Sequence, residues 1–207
     1  MLTNLRIGDK VFQWLVEIDE ETSLRVAAAG CPWCGGRLHR GDYPRKPRGG
    51  LVAVAGEVFS RRISLCCGRP GCRRRATPPS VRFLGRRVYL GVAVLLAGVL
   101  NCTMAAPQVK RATGIPSRTV KRWGAWWQAD FPRSRVFQEQ RGRFLPPPCL
   151  TALPASLWER LEYAGRQEAE VLVRTLCFLS PLTTGSVVAQ SRLMRVASVH
   201  AEEGSTV

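Results

Sequence analysis

A mixed α+β fold that is mostly α is what the sequence predicts, and three patterns point to it. An amphipathic helical stretch opens the chain, a Gly-, Pro- and Arg-rich segment with two close cysteine pairs follows, and helical periodicity returns after residue 81. The 207 residues and 45% hydrophobic content suffice for packed cores.

Residues 1–30 are expected to form an N-terminal amphipathic helix. In VFQWLVEIDEETSLRVAAA, Phe12, Leu15, Ile18 and Val26 recur at near-helical spacing with acids on the other face, and Gly30 is a suitable stop. Residues 31–80 change character. Their strand-like runs are LVAVAGEVF (51–59) and RRISLCC (61–67), so the expectation is a small, loop-rich module with little apolar core. Such a module needs a staple, and metal-bound cysteines would provide one.

Cys31 and Cys34 in GCPWCGG and Cys67 and Cys72 around GRPG supply two such pairs, thirty-two residues apart. That separation is easily closed, because loop-closure cost grows only logarithmically with length. One structural zinc on these four thiolates is the expected cofactor, in a zinc ribbon. Cys66 competes with Cys67, which is favoured because alternation puts it on the side of Ile63 and Leu65; His39 is read as a surface residue. A thioredoxin-like dithiol would want Cys31 to start a helix after a strand, whereas an acidic helix precedes it here. Cys102, Cys149 and Cys177 stand singly among apolar residues and read as packing residues.

Residues 81–130 read as a three-helix bundle. The run VYLGVAVLLAGVL (88–100) has 13 residues, short of the roughly 20 needed to cross a bilayer, and is expected as a buried helix. APQVKRATGIPSRTVKRWGAWW (106–127) then has the parts of a helix-turn-helix. Pro107 suits the first turn, Val109 and Ala112 face inward, Gly114 turns, Ile115 plugs the turn and Ser117 caps the second helix. Val120, Trp123 and Trp127 form its buried stripe, leaving Arg118, Thr119, Lys121 and Arg122 on the open face. Trp126 is left as an aromatic that an unpaired base would stack on. Residues 131–155, with three consecutive prolines, read as a linker, 156–180 as a C-terminal helix, and 181–207 as a loose tail.

Charge narrows the partners. The formal net charge is +16, and residues 31–143 carry 23 basic against 4 acidic residues while both flanks are slightly acidic. A block of this kind is drawn to a polyanion, with nucleic acid the commonest. Arg73, Arg74, Arg75, Arg82, Arg86 and Arg87 have no acid nearby in sequence and are expected at phosphates. The first 30 residues show no secretory pattern, so the expected location is cytoplasmic and nucleoid-associated, without a membrane partner.

The two cysteine pairs opening with CPxCGG, the arginine-rich stretch and ATGIPSRTVKRW together resemble the N-terminal zinc-ribbon and helix-turn-helix regions of bacterial insertion-sequence transposases and their small stand-alone relatives found around mobile elements. The resemblance covers roughly residues 10–150. It implies metal ligation by Cys31, Cys34, Cys67 and Cys72, DNA reading by residues Ser117 to Arg122, and a role beside a transposase or a second copy of the chain. A catalytic transposase domain would need three acids on an RNase H-like sheet. After Arg143 the acids are Glu159, Glu162, Glu168, Glu170, Glu202 and Glu203, the first four on one expected helix, so neither catalysis nor a small-molecule substrate is expected. The expected function is sequence-specific binding of double-stranded DNA; an RNA-binding or ribosome-associated zinc protein is the alternative, and a thiol-disulfide enzyme a third.

Overall fold

The computed structural model describes residues 9–45, 57–84, 89–162 and 167–183, and these are mostly helical with a few short strands. The helices are α1 (Asp9–Ala29), α2 (Gly91–Asn101), α3 (Ala106–Thr113), α4 (Ser117–Ala125), α5 (Arg135–Gln140), α6 (Ala155–Leu161) and α7 (Glu168–Leu179). The strands are β1 (Leu38–Arg40), β2 (Tyr43–Pro44), β3 (Arg61–Arg62), β4 (Leu65–Cys67), β5 (Arg75–Ala76), β6 (Phe83–Leu84) and β7 (Tyr89–Leu90). All pairings are antiparallel: β1-β4-β5 form a three-stranded sheet, with Leu38 opposite Cys67 and Leu65 opposite Ala76, while β2 pairs with β3 and β6 with β7.

Two apolar clusters organise these elements. The smaller holds Cys31, Leu38, Leu65, Cys67 and Ala76, too little to support a module on its own. The larger runs from Val11, Phe12 and Leu15 of α1 through the helices after residue 90. α2 sits inside it with Gly91, Val92, Ala93, Val94, Leu95, Ala97, Gly98 and Val99 all buried, which explains an all-apolar helix without a membrane. Among the described residues no helix is long and apolar enough to cross a membrane.

Several elements depart from the sequence reading. The inner stripe of α1 is not purely apolar: Asp19, expected with the acids on the outer face, is buried within it. Of the expected strand 51–59, residues 51–56 lie outside the described ones, and Glu57–Ser60 form a 3-10 turn whose Phe59 is buried against Phe12, centroids 5.2 Å apart. The β6-β7 hairpin before α2 carried no sequence signal, because two-residue strands are too short to show a period.

The segment expected as a linker is folded from Phe131 onward. It forms a 3-10 turn (Phe131–Arg133) and α5, capped by Ser134 Oγ accepting from the Phe137 N–H. Phe131 and Phe137 are fully buried in a chain of rings with Trp126 and Trp127, at centroid distances of 4.8 to 5.6 Å. Three prolines follow the segment, but the aromatic residues before them supply enough apolar surface to dock it.

The expected helix 156–180 is two helices, with Glu162 ending α6 at φ −79°, ψ 82° and α7 beginning at Glu168. Of the expected loose tail, residues 184–207 lie outside the described ones, while Ser180–Thr183 form a 3-10 turn whose Thr183 Oγ1 accepts from the Ser80 N–H at 2.8 Å.

Candidate metal centre

The Sγ atoms of Cys31, Cys34, Cys67 and Cys72 all lie within 4.8 Å of one another, a group that could hold a metal ion. Two backbone turns make this possible. After α1, Gly30 (φ 76°) leads into a tight loop in which the Gly35 N–H donates to the Cys31 carbonyl and the Cys31 N–H to the Gly36 carbonyl, each at 2.8 Å. Gly36 packs tightly against the cluster: a Cβ there would come within 3.1 Å of the Arg69 Cβ, 3.2 Å of the Cys67 sulfur and 3.3 Å of the Cys34 sulfur, so a larger residue would push on the sulfurs. The second turn leaves β4 at Cys67, where the Gly68 N–H donates to the Arg37 carbonyl at 2.9 Å and joins the two loops. Gly71 (φ 82°) then allows the Cys72 N–H to reach the Arg69 carbonyl.

The pairs are interleaved. Cys31 lies 3.7 Å from Cys72 and Cys34 lies 3.5 Å from Cys67, sulfur to sulfur. Each thiol of the first pair therefore faces one from the second. Cys31 and Cys67 are buried, while Cys34 and Cys72 are partly open. The Gly36 N–H lowers the Cys34 thiol to about 7. For Cys67 the Arg69 N–H acts in the same sense, but burial and the neighbouring thiols win and push it up to about 12. Cys72 is raised too, burial and the thiols of Cys34 and Cys31 outweighing the Arg74 N–H. Cys67 and Cys72 are thus held toward the neutral thiol, and a cation among the four sulfurs would reverse this.

Cys66 points elsewhere, its Sγ toward the Arg73 carbonyl at 3.5 Å, and His39, opposite it on β1, is exposed. Neither joins the cluster. The single cysteines divide. Cys177 packs on the larger core, and burial followed by the nearby Asp19 charge pushes its thiol up to about 12. Cys102 and Cys149, expected to pack, are exposed.

The arginines beside the cluster have separate fates. Arg73, Arg74 and Arg75 are exposed, Arg73 at φ 45°. Arg74 lies over the Trp33 ring, 5.6 Å from its centroid. Arg75 donates to the Gly41 carbonyl at 2.8 Å and Ser64 Oγ at 3.1 Å, above Tyr43. Arg86 and Arg87 lie outside the described residues. Arg82, expected at phosphate, is instead buried and paired with Asp19. Arg40, not singled out from sequence, grips both oxygens of Glu20 at 2.6 and 2.7 Å and Asp42 at 2.8 Å, tying the module to α1. Glu20 and Asp19, 20 and 63 positions from the arginines they hold, are invisible to a local charge count.

In the second half, α3 and α4 meet through Gly114 in the left-handed conformation (φ 72°), with Ile115, Val109, Val120, Trp123 and Trp127 buried beneath. Arg118, Lys121 and Arg122 are exposed and Thr119 is half-buried. Three details differ from expectation. Ser117 is not the cap: Pro116 occupies that position and the Ser117 hydroxyl donates to the Ala106 carbonyl. Ala112 is exposed, and Ala106 fills the inward position. Trp126 is not free for stacking, because its ring packs on Trp127 and Phe131. Arg122 also has a partner, donating to the Tyr89 hydroxyl at 2.6 Å.

Compared with family models, curated proteins and solved structures, the chain matches none of them.

Proposed function

We propose that the chain is a zinc-stabilised, sequence-specific double-stranded DNA-binding protein, serving as an accessory or regulator of transposition beside a transposase or a second copy of itself and holding no catalytic site. The observation that carries DNA binding is the pair α3 and α4, turned at Gly114, with Arg118, Lys121 and Arg122 all exposed on the second helix. A helix presenting cations in this way can lie in a major groove. The arginines around the cluster would hold phosphates.

Zinc is favoured by ligand chemistry and by size. Four thiolates suit it, and a tetrahedron with zinc–sulfur bonds of about 2.3 Å has edges of about 3.8 Å; two facing pairs of sulfurs stand 3.7 and 3.5 Å apart and all four lie within 4.8 Å of one another. The small apolar cluster around these cysteines explains why the module would need the ion.

The test is selection of duplexes from a random pool by the full-length protein, followed by anisotropy titrations of the selected site at several salt concentrations. Binding should fall with a log-log slope of about −0.9 for every phosphate contacted. A pool that yields no enriched sequence, or a flat salt response, overturns the reading.

A further inference from the structure

Trp33 occupies an unusual position. It is the exposed aromatic at the tip of the first cysteine turn, between Cys31 and Cys34, with 47% of its surface open. The Arg74 guanidinium lies over its ring at 5.6 Å from the centroid, within cation–π range. Both members are anchored by the cluster. Trp33 is held between two of its cysteines, and the Arg74 carbonyl accepts from the N–H of a third, Cys67, at 2.9 Å. Between residues 31 and 84 the sequence has twelve basic residues and two acids, Asp42 and Glu57. Asp42 is already held by Arg40 at 2.8 Å.

We propose that Trp33 and Arg74 form a stacking site for an unpaired base of single-stranded DNA. The site rests on the DNA-binding reading above and adds a second substrate form, a melted or tailed segment, to the duplex that α4 would read. A flat ring attracts any base; with the Arg74 guanidinium over one face of the indole, the base takes the other, and the guanidinium attracts the adjoining phosphate. A duplex offers no free base face, so this contact discriminates strand state rather than sequence. Because both turns are needed to bring Trp33 under Arg74, the site should require the metal.

The test compares a short fluorescein-labelled oligothymidylate with a blunt duplex of the same length, titrated with full-length zinc-loaded protein at one salt concentration. Trp33→Ala should weaken oligothymidylate binding about 5- to 100-fold, the range for loss of one stacked base, and leave the duplex unchanged. Trp33→Phe should keep most of the affinity. Trp33→Leu, which retains apolar cover without a ring, should behave like Trp33→Ala and decides the matter if the alanine variant loses its zinc. An unchanged oligothymidylate affinity in Trp33→Leu, equal losses on both probes, or a Phe variant as weak as the Leu one would overturn the proposal. So would tighter binding of an oligouridylate with the same Trp33 dependence. Wild-type protein that binds the duplex but not the oligothymidylate sinks this inference alone, whereas protein that binds neither sinks the DNA-binding reading as well.

Discussion

Asp19 and Arg82, 63 positions apart, form an ion pair at 2.7 Å with 1% and 2% of their side-chain surfaces exposed. The carboxylate also accepts from Ser80 Oγ at 2.6 Å and the Val81 N–H at 2.8 Å, and the guanidinium donates onward to the Val58 carbonyl at 2.9 Å. One carboxylate thus joins α1 to the segment leading into β6.

Removing either partner leaves a buried charge uncompensated. Asp19→Ala is expected to destabilise the protein by about 3–5 kcal/mol, read by urea denaturation at neutral pH. A loss below 1 kcal/mol would mean that water reaches Arg82. Because Arg82 is buried against Asp19 it is not available to a phosphate, so Arg82→Met, measured where it remains folded, should leave the salt slope of DNA binding unchanged.

Metal analysis of protein prepared without chelator should find about one zinc per chain, the stoichiometry of a closed four-thiolate site. Cys34→Ser should lose the metal and expose amides of the β1-β4-β5 sheet to hydrogen exchange. Cys66→Ser should retain both, because the Cys66 sulfur is directed at the Arg73 carbonyl and not at the cluster. Metal loss in Cys66→Ser alone would reassign the ligands.

Arg122 and Arg74 should differ in kind. Arg122→Ala is expected to cost about 1–3 kcal/mol on the selected duplex and little on random duplex, while Arg74→Ala weakens both duplexes alike and lowers the salt slope by about one contact. The hydrogen bond from Arg122 to the Tyr89 hydroxyl adds a further expectation: Tyr89→Phe, which keeps the ring beneath the guanidinium but frees its nitrogen, should change affinity for the selected site more than for random duplex. Equal losses on both duplexes for Arg122→Ala, by anisotropy at fixed salt, would remove α4 from the groove.

Gly98 of α2 allows the closest approach in the helical core. A Cβ there would sit 2.5 Å from Trp127 Nε1 and 2.8 Å from Pro154 Cγ. The Trp127 ring is fully buried, and its indole N–H meets no hydrogen-bond partner among the described residues. Gly98→Ala should therefore destabilise by about 1–3 kcal/mol through overpacking, despite the better helix propensity of alanine. A thermal midpoint equal to or above that of the parent protein would show that Trp127 can move aside.

What the sequence determined by itself is what short-range physics controls. Helical periodicity located α1, α2, α3 and α4, since each buries one stripe or a whole surface. The turn at Gly114 was legible because glycine adopts the left-handed conformation at no steric cost, and the plug at Ile115 because an apolar side chain is needed to fill the turn. The cysteine spacing indicated which thiols would gather, as two tight turns bring each pair to one point. Only the tertiary structure decided where the charges and loose aromatics ended up. Asp19 looks like an outer-face acid and Arg82 like a phosphate ligand until α1 packs against the chain at residue 80, and nothing local marks Arg40 as the partner of Glu20. Phe131 and Phe137 sit in a proline-rich stretch that reads as a linker, yet Trp126 and Trp127 offer them a surface to bury. Trp33 under Arg74 likewise requires both cysteine turns to close. Local pattern reports which face of an element is apolar; it carries no record of which distant element arrives to cover it or to neutralise its charge.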